Sequence, residues 1–340
     1  MKLRAGAVAL GVRNRAVLVV LGMLVAWLVL AVFAIGTGDF QLSPGGVLRT
    51  LAGDGSRAEY LIVVEQRLPR LLVATMVGAA LGISGAVFQS LTRNPLGSPD
   101  IIGFTAGSAT GGIVVILVFG GGQLPTALGS VISGALTAVA IYLLCGKDGL
   151  GGYRMVLLGV GLGVVLTGLN SYLLTRVMVE DAAQAVTWLV GNLAGRGWES
   201  VGPLAVVLVL LTPVFLVHSP GLRLLESGEQ VAAGLGVAVT RVRLVLVLSS
   251  VALVAVAVAA AGPIAFVALA APQLARRMTA SPGPNLFPAA VTGALLVVLA
   301  DFLGQRLLSS SLLPVGVVTG ALGGIYLAWL LLMERAKNKV

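Results

Sequence analysis

Uncharged, strongly apolar runs recur along the whole chain, and charged residues sit almost entirely between them. Such runs cover residues 16–36, 71–92, 155–175, 201–217, 286–300 and 307–333. A membrane-crossing helix needs about 20 mostly apolar residues, so each run reads as one span. The stretch 101–146 carries no charge and is long enough for two spans, with a natural break at Gly120-Gly121-Gly122 and Pro125. The stretch 244–275 is also too long for one helix, and Gly262-Pro263 divides it. The pattern therefore predicts an all-α polytopic membrane protein of about ten transmembrane helices, with residues 1–340 forming a single transmembrane domain.

An even number of spans puts both termini on one side of the membrane. Cytoplasmic loops are enriched in Lys and Arg, and placing the termini inside gives the cytoplasm 15 of these residues against 7 outside. The expected topology has both termini in the cytoplasm. The basic N-terminus followed by an apolar run resembles a signal peptide, but the run is too long and similar runs follow it. Two outer segments interrupt the spans. Residues 37–66, with Asp39, Asp54, Glu59 and Glu65, read as a modest extracytoplasmic loop. Residues 180–200, with Trp188 and Trp198, suit a short helix at the interface, where tryptophan is favoured.

Composition agrees with a lipid environment. Of 340 residues, 58% are hydrophobic and 10% charged, whereas soluble domains carry roughly 25% charge. The 46 glycines suit helices that pack by close backbone approach in lipid. A net charge of +9 does not point to nucleic acid, because the basic residues punctuate apolar runs and do not gather on one face. One cysteine, Cys145, excludes an internal disulfide and a cysteine-based metal cluster. One histidine, His218, rules out a multi-histidine metal site and reads as a polar residue at a helix end.

The longest inner segment is 219–243. Within it Ser227-Gly228-Glu229-Gln230 matches a capping box, with Ser227 able to cap and Gln230 able to reach back. Val231, Ala232 and Leu235 then form a short apolar stripe, and Gly236 is placed to end the helix in a left-handed conformation. Such a segment is either a solvated connector or a docking element.

Catalytic motifs are missing. Gly146-Lys147 is followed by Asp148 and lacks the glycine five residues earlier that a phosphate-binding loop needs. Neither a Ser-His-Asp nor a His-Glu-x-x-His arrangement occurs. A proton-coupled carrier buries ionisable groups at mid-membrane, yet the spans are nearly free of charge, and Asp301 lies close to an outer end. A pathway wall driven by another subunit fits better than an intramembrane enzyme or a self-sufficient secondary carrier.

Three blocks then carry a resemblance. The first runs Arg67-Leu68-Pro69-Arg70, Gly78-Ala79-Ala80-Leu81-Gly82, Ser84-Gly85, Gln89, Arg93-Asn94-Pro95-Leu96 and Pro99-Asp100-Ile101-Ile102-Gly103. The second is Ala261-Gly262-Pro263-Ile264-Ala265-Phe266-Val267 with Pro272 and Arg276-Arg277; the third is Ala300-Asp301 to Arg306, Leu313-Pro314-Val315-Gly316 and Gly320. In this order they resemble the permeases of iron–siderophore and vitamin-B12 ABC importers. Asp181-Ala182, Trp188-Leu189, Gly191 and Gly195-Arg196-Gly197-Trp198 look most like the ferric-enterobactin type.

The resemblance implies a type II ABC importer permease fold, with ten helices related as inverted repeats, in the bacterial plasma (inner) membrane. It implies translocation of a ferric siderophore, with a vitamin-B12 or haem permease as the alternative. The chain itself would hold no cofactor or metal. A second permease subunit, a paralogue rather than an identical copy, would complete the pathway. Two cytoplasmic ATPases would use ATP-Mg below it, and an extracytoplasmic siderophore-binding protein would deliver the ligand from above. Site residues follow by position. Arg67, Arg70 and Arg306 are expected to dock the binding protein. Ser227, Glu229, Gln230, Ala232, Ala233 and Gly236 are expected to couple to the ATPase. Asn94, Pro95 and Leu96 are expected at the cytoplasmic gate, with Gly151 and Gly152. The loop Leu150-Gly151-Gly152-Tyr153 lacks the small polar residues of the family's gate, so closure there would use backbone approach.

Overall fold

The computed structural model describes residues 2–5, 8–11, 14–38, 40–146, 152–306 and 313–337. A short antiparallel pair, β1 (Lys2–Ala5) and β2 (Val8–Gly11), precedes an otherwise helical chain. The expected spans appear in order as α1 (Asn14–Gly36), α4 (Leu68–Thr92), α5 (Phe104–Phe119), α6 (Gln123–Cys145), α7 (Gly152–Leu174), α9 (Trp198–Glu226), α11 (Val239–Ala261), α12 (Val267–Thr279), α13 (Leu286–Gly304) and α14 (Val315–Lys337). Short helices α2 (Pro44–Leu51), α3 (Arg57–Tyr60), α8 (Val179–Leu189) and α10 (Glu229–Gly234) lie between them. A π-helical turn, Leu61–Arg67, leads into α4.

By length and composition 7 of these helices can cross a membrane alone, and α5 and part of α14 are shorter apolar helices. Helix α12, with 13 residues, reaches only about 20 Å at 1.5 Å per residue. The two shortest, α5 and α12, are each preceded by a break that re-enters the protein. After α4 the chain turns at Arg93, whose φ is 50°, and 93–103 climbs back alongside α12. Gln273 on α12 donates to the Pro95 carbonyl at 3.0 Å, and Gly103 packs on Gly159 and Gly163 inside α7. After α11 the chain turns at Gly262 (φ 74°), and 262–266 descends to the start of α12. Each break thus supplies the depth that the following helix lacks.

These paired breaks reveal two repeats of opposite direction, α4–α7 and α11–α14. Their packing mirrors: α4 lies on α13 and α12, and α11 lies on α6 and α5, with α4 and α11 touching at the centre. Both central helices are mostly buried, whereas α1, α7 and α9 keep largely apolar exposed faces.

Glycine makes the close packing possible. A methyl group on Gly78 would run into the Gly293 carbonyl, on Gly82 into that of Ala289, and on Gly85 into that of Ala268. The first family block is therefore, in its glycines, the face of α4 that meets α13 and α12. Outside the bundle, Ser56 and Glu59 form a complete capping box at α3. Hydrogen bonding to Ser56 holds the Glu59 carboxyl below its usual pKa.

Gly85→Leu should lower the thermal stability of the purified protein in detergent, because overpacking costs roughly 1–3 kcal/mol and backbone is the obstacle. Gly22→Ala on α1, with nothing within 4 Å, should leave the melting temperature unchanged or slightly raised. Equal behaviour of the two variants would contradict this packing.

Candidate functional sites at the two faces

The helix ends gather into two polar layers. In one, α1, α4 and α13 converge. Arg70, one turn into α4, grips Asp301 on α13 with both prongs of its guanidinium, Nε to Oδ2 at 3.0 Å and Nη2 to Oδ1 at 2.8 Å. Gln305 donates to the same carboxylate at 2.8 Å. Arg67 ends the π-helical turn and donates to the carbonyls of Ile35 (2.5 Å) and Phe40 (2.8 Å), tying down the chain after α1. Arg306 donates to Thr37 Oγ1 and stacks 4.3 Å over the Phe302 ring. Burial lowers the Arg306 pKa from its ordinary value, while Asp301 opposes the shift.

The three arginines expected at a docking patch are therefore brought together on one rim, each already bonded within the chain. Arg70 is the most committed, since its fork is spent on a nearly buried carboxylate. Asp301, weighed above as a carrier's acid, is an ion-pair partner. On the same rim Trp198 donates its indole N–H to the Val64 carbonyl at 3.0 Å. Gln123 donates to Glu199 and Ser200, which joins α6 to α9.

The opposite layer contains α10. Here the structure differs from the capping-box expectation. Helix α9 does not stop after the sixth apolar run but continues to Glu226 despite Pro203, Pro213 and Pro220; within lipid such prolines are tolerated because neighbouring groups satisfy the freed carbonyls. Ser227 is consequently the C-cap of α9, and Gly228, in an extended left-handed conformation (φ 119°), occupies the N-cap of α10 with no side-chain cap bond. The connector is correspondingly shorter than 219–243. Neither Ser227 nor Gln230 caps α10.

The other end of α10 follows expectation. Gly236 has φ 83°, the Gly236 N–H donates to the Ala233 carbonyl at 2.9 Å, and the Val237 N–H donates to the Ala232 carbonyl at 3.0 Å. These bonds form a Schellman motif. Ala232 is fully buried as the anchor, Glu229 pairs with Arg243 of α11, and Val231 and Leu235 stay exposed. Gln230, Ala233 and Gly236 are exposed as well. The result is a small rigid helix with an unpartnered apolar pair on its outer side.

Beside it lies a polar cavity of about 360 Å³, lined among others by Ser90, Arg93, Asn94, Pro95, Glu226 and Arg276. Ser90 donates to Glu226 at 2.7 Å, Arg276 donates to Ser90 at 3.3 Å, and Arg276 lies 3.8 Å from Glu226. Sequence reasoning missed this trio because its members come from three separate helices with no local spacing to reveal them. Asn94 Oδ1 accepts from the Leu96 N–H at 2.9 Å, and Leu96 is half exposed at this surface. Gly152 begins α7; Gly151 lies outside the described residues. His218 bonds to the Val214 carbonyl of its own helix at 2.8 Å, and among the described residues no group of metal-ligating side chains forms.

Broken helices inside a glycine-packed bundle, with polar clusters at both ends of the helices, are those of a polytopic membrane protein. Residues 23–333 match the FecCD transport family, and the chain belongs to that family. It is 41% identical over 329 residues to the ferric enterobactin transport system permease protein FepG of Escherichia coli K12, covering 96% of this chain and 99% of that protein. It is 35% identical over 328 residues to the Fe(3+)-citrate import system permease protein YfmE of Bacillus subtilis, covering 96% and 98%. A metal-chelate type ABC transporter solved in an inward-facing conformation superposes with a TM-score of 0.81 at 29% identity, covering 93% of this chain and 99% of that one.

Truncating one side of the Arg70–Asp301 pair should be costly, since breaking a buried pair typically loses about 3–5 kcal/mol, reduced here because Arg70 keeps 21% side-chain exposure. Arg70→Met alone should lower the melting temperature, and Arg70→Met with Asp301→Leu should recover most of the loss. A double variant no better than the single would mean the two residues do not act as a pair.

Proposed function

We infer that this chain is the permease subunit of a binding-protein-dependent ABC importer that carries a ferric siderophore across the bacterial inner membrane into the cytoplasm. The end-to-end similarity to iron-chelate permeases carries the reading, the enterobactin permease above all. The rim with Arg67, Arg70 and Arg306 faces outward in this reading and receives the binding protein. The α10 face lies in the cytoplasm, as do both termini, in keeping with the excess of basic residues on that side. There α10 meets an ATPase subunit through Val231, Ala233 and Leu235, with Glu229–Arg243 and the Gly236 end holding it in place. Asn94, Pro95 and Leu96 border the inner opening. A second permease, two ATPases and an extracytoplasmic binding protein complete the machine, and ATP-Mg is consumed by the ATPases alone.

The decisive experiment reconstitutes the chain with its companion subunits in proteoliposomes. ATP-dependent accumulation of ferric enterobactin, absent without ATPase, is the expected result. Uptake by the chain alone under a proton gradient would replace the reading with a secondary carrier, and preference for cobalamin would move the substrate class. In the same system Gly236→Val should weaken the coupling of ATP hydrolysis to uptake, since a β-branched residue at positive φ costs roughly 1 kcal/mol or more at that helix end. Unchanged coupling at normal expression would remove α10 from the ATPase contact.

Docking on the outer rim is checked by charge reversal. Arg67→Glu with Arg306→Glu should abolish capture of the binding protein and leave ATPase assembly intact, and wild-type capture should weaken with salt as charge-driven encounters do. Unchanged capture at low salt would leave these arginines as internal ties only.

A further inference from the structure

One carboxylate ties the end of α9 to two other helices. Glu226, the last residue of α9, accepts from the Ser90 hydroxyl of α4 at 2.7 Å. Ser90 is buried and itself accepts from Arg276 Nη2 of α12 at 3.3 Å, while the same nitrogen stands 3.8 Å from Glu226 Oε1. A hydroxyl donates one hydrogen bond and accepts others, so Ser90 bridges an anion and a cation that make no hydrogen bond to each other. A surface ion pair alone contributes little. Here the bridging group is buried, and its bonds join residues 136 and 186 positions apart.

The tie sits at the root of α10. At the first position of α10, Glu229 pairs with the buried Arg243 of α11. The two carboxylates therefore flank Gly228, whose φ is 119°. Arg93, where the chain leaves α4, lies over this glycine, its guanidinium 4.0 Å from where a side chain would begin. A displacement of α10 thus acts on α11 through Glu229 and on α4 and α12 through Glu226. The tie also has room to change. It borders the polar cavity of about 360 Å³, and Arg276 Nε is buried with no hydrogen-bond partner.

We propose that Glu226 is a positioning residue of the transport cycle: through Ser90 and Arg276 it carries the position of α10 to the end of α4, where 93–103 begins, and to α12. Helices α4 and α12 belong to opposite repeats, so one carboxylate reports the state of α10 to both. The role in transport rests on the permease reading, and the tie itself does not.

Hydrogen exchange on the purified full-length chain reads the tie. The amides of Arg93 and Asn94 bond back to the carbonyls of Ser90 and Gln89. In Glu226→Ala they should exchange about tenfold faster, the size expected when a hydrogen bond to a charged acceptor is lost, with the amides of α13 unchanged. Unchanged exchange at Arg93 and Asn94, or an equal rise throughout α13, overturns the tie whatever the chain transports. Uptake of ferric enterobactin per ATP hydrolysed, in the reconstituted complex, reads the role. It should fall about tenfold in Glu226→Ala and in Ser90→Ala with ATP hydrolysis and melting temperature retained. It should recover in part in Glu226→Gln, whose amide oxygen still accepts from Ser90. Normal uptake per ATP in Glu226→Ala overturns the proposal. So does a parallel loss of uptake, hydrolysis and melting temperature, which marks a structural brace. A Glu226→Gln variant as poor as Glu226→Ala overturns the Ser90 bridge and leaves charge alone. If the wild-type complex shows no ATP-dependent uptake, the permease reading fails and the role falls with it, and the exchange measurement still decides the tie.

Discussion

Within hydrocarbon every backbone N–H and C=O must find its partner inside the protein, and this chain breaks two helices at membrane depth. The rest of the architecture follows from making those breaks tolerable. Each is wrapped by protein. The 93–103 segment bonds to itself, with Ile102 N–H to Ser98 O at 3.1 Å and Phe104 N–H to Pro99 O at 3.0 Å. The 262–266 segment is closed by the α8–α9 connection, where the Asn192 N–H donates to the Ala261 carbonyl at 2.7 Å and the Gly316 N–H to the Gly191 carbonyl at 3.2 Å. Backbone meeting backbone at these distances leaves no room for side chains. A methyl group on Gly262 would strike the Trp188 carbonyl, and one on Gly316 the Val190 carbonyl. The high glycine content is thus a consequence of irregular backbone buried in lipid as well as of helix packing.

Among the described residues charge gathers mainly in the two layers where the helices end, and there it joins elements distant in sequence. Arg70–Asp301 binds α4 to α13 on one face; Ser90, Glu226 and Arg276 bind α4, α9 and α12 on the other. Helix α4 belongs to both layers and to the buried centre. A helix packed by backbone contact over most of its length moves as a rigid body, because a close-packed interior has no slack to absorb bending. Helix α4 thus links the Arg70–Asp301 layer to the polar cavity at its other end.

The spans were legible because hydropathy is a sum over about 20 residues, and a sum is insensitive to the details of any one position. The division at Gly262-Pro263 was legible for the opposite reason, as a single residue pair strong enough to end a helix. The inner end of α9 was not. Its apolar run stops near Val217, but the helix continues through Pro220 to Glu226, since helix hydrogen bonding does not end where hydrophobicity does. That extension moved Ser227 from one helix's start to another's end and emptied the expected capping box. At the same connector Gly236 was readable, because a left-handed helix end is a requirement on one residue. That Arg67, Arg70 and Arg306 share one end of the bundle was readable, but their internal partners were not: Asp301 lies 231 positions from Arg70, beyond any local pattern.

The two breaks are related by the repeat but differ in chemistry. The 93–103 break is long and polar, with Arg93, Asn94 and Pro95 exposed beside a cavity that also admits Glu226 and Arg276. The other break, Gly262-Pro263-Ile264-Ala265-Phe266, has no charged side chain, and Phe266 is packed against Gly323 of α14. The first presents polar groups able to exchange hydrogen-bond partners, whereas the second is held by backbone hydrogen bonds at its ends and by van der Waals contact of Phe266 with α14, which is lost steeply with separation. An inverted duplication alone would make the two sides of the membrane equivalent; substituting the polar residues of 93–103 into one copy removes that equivalence.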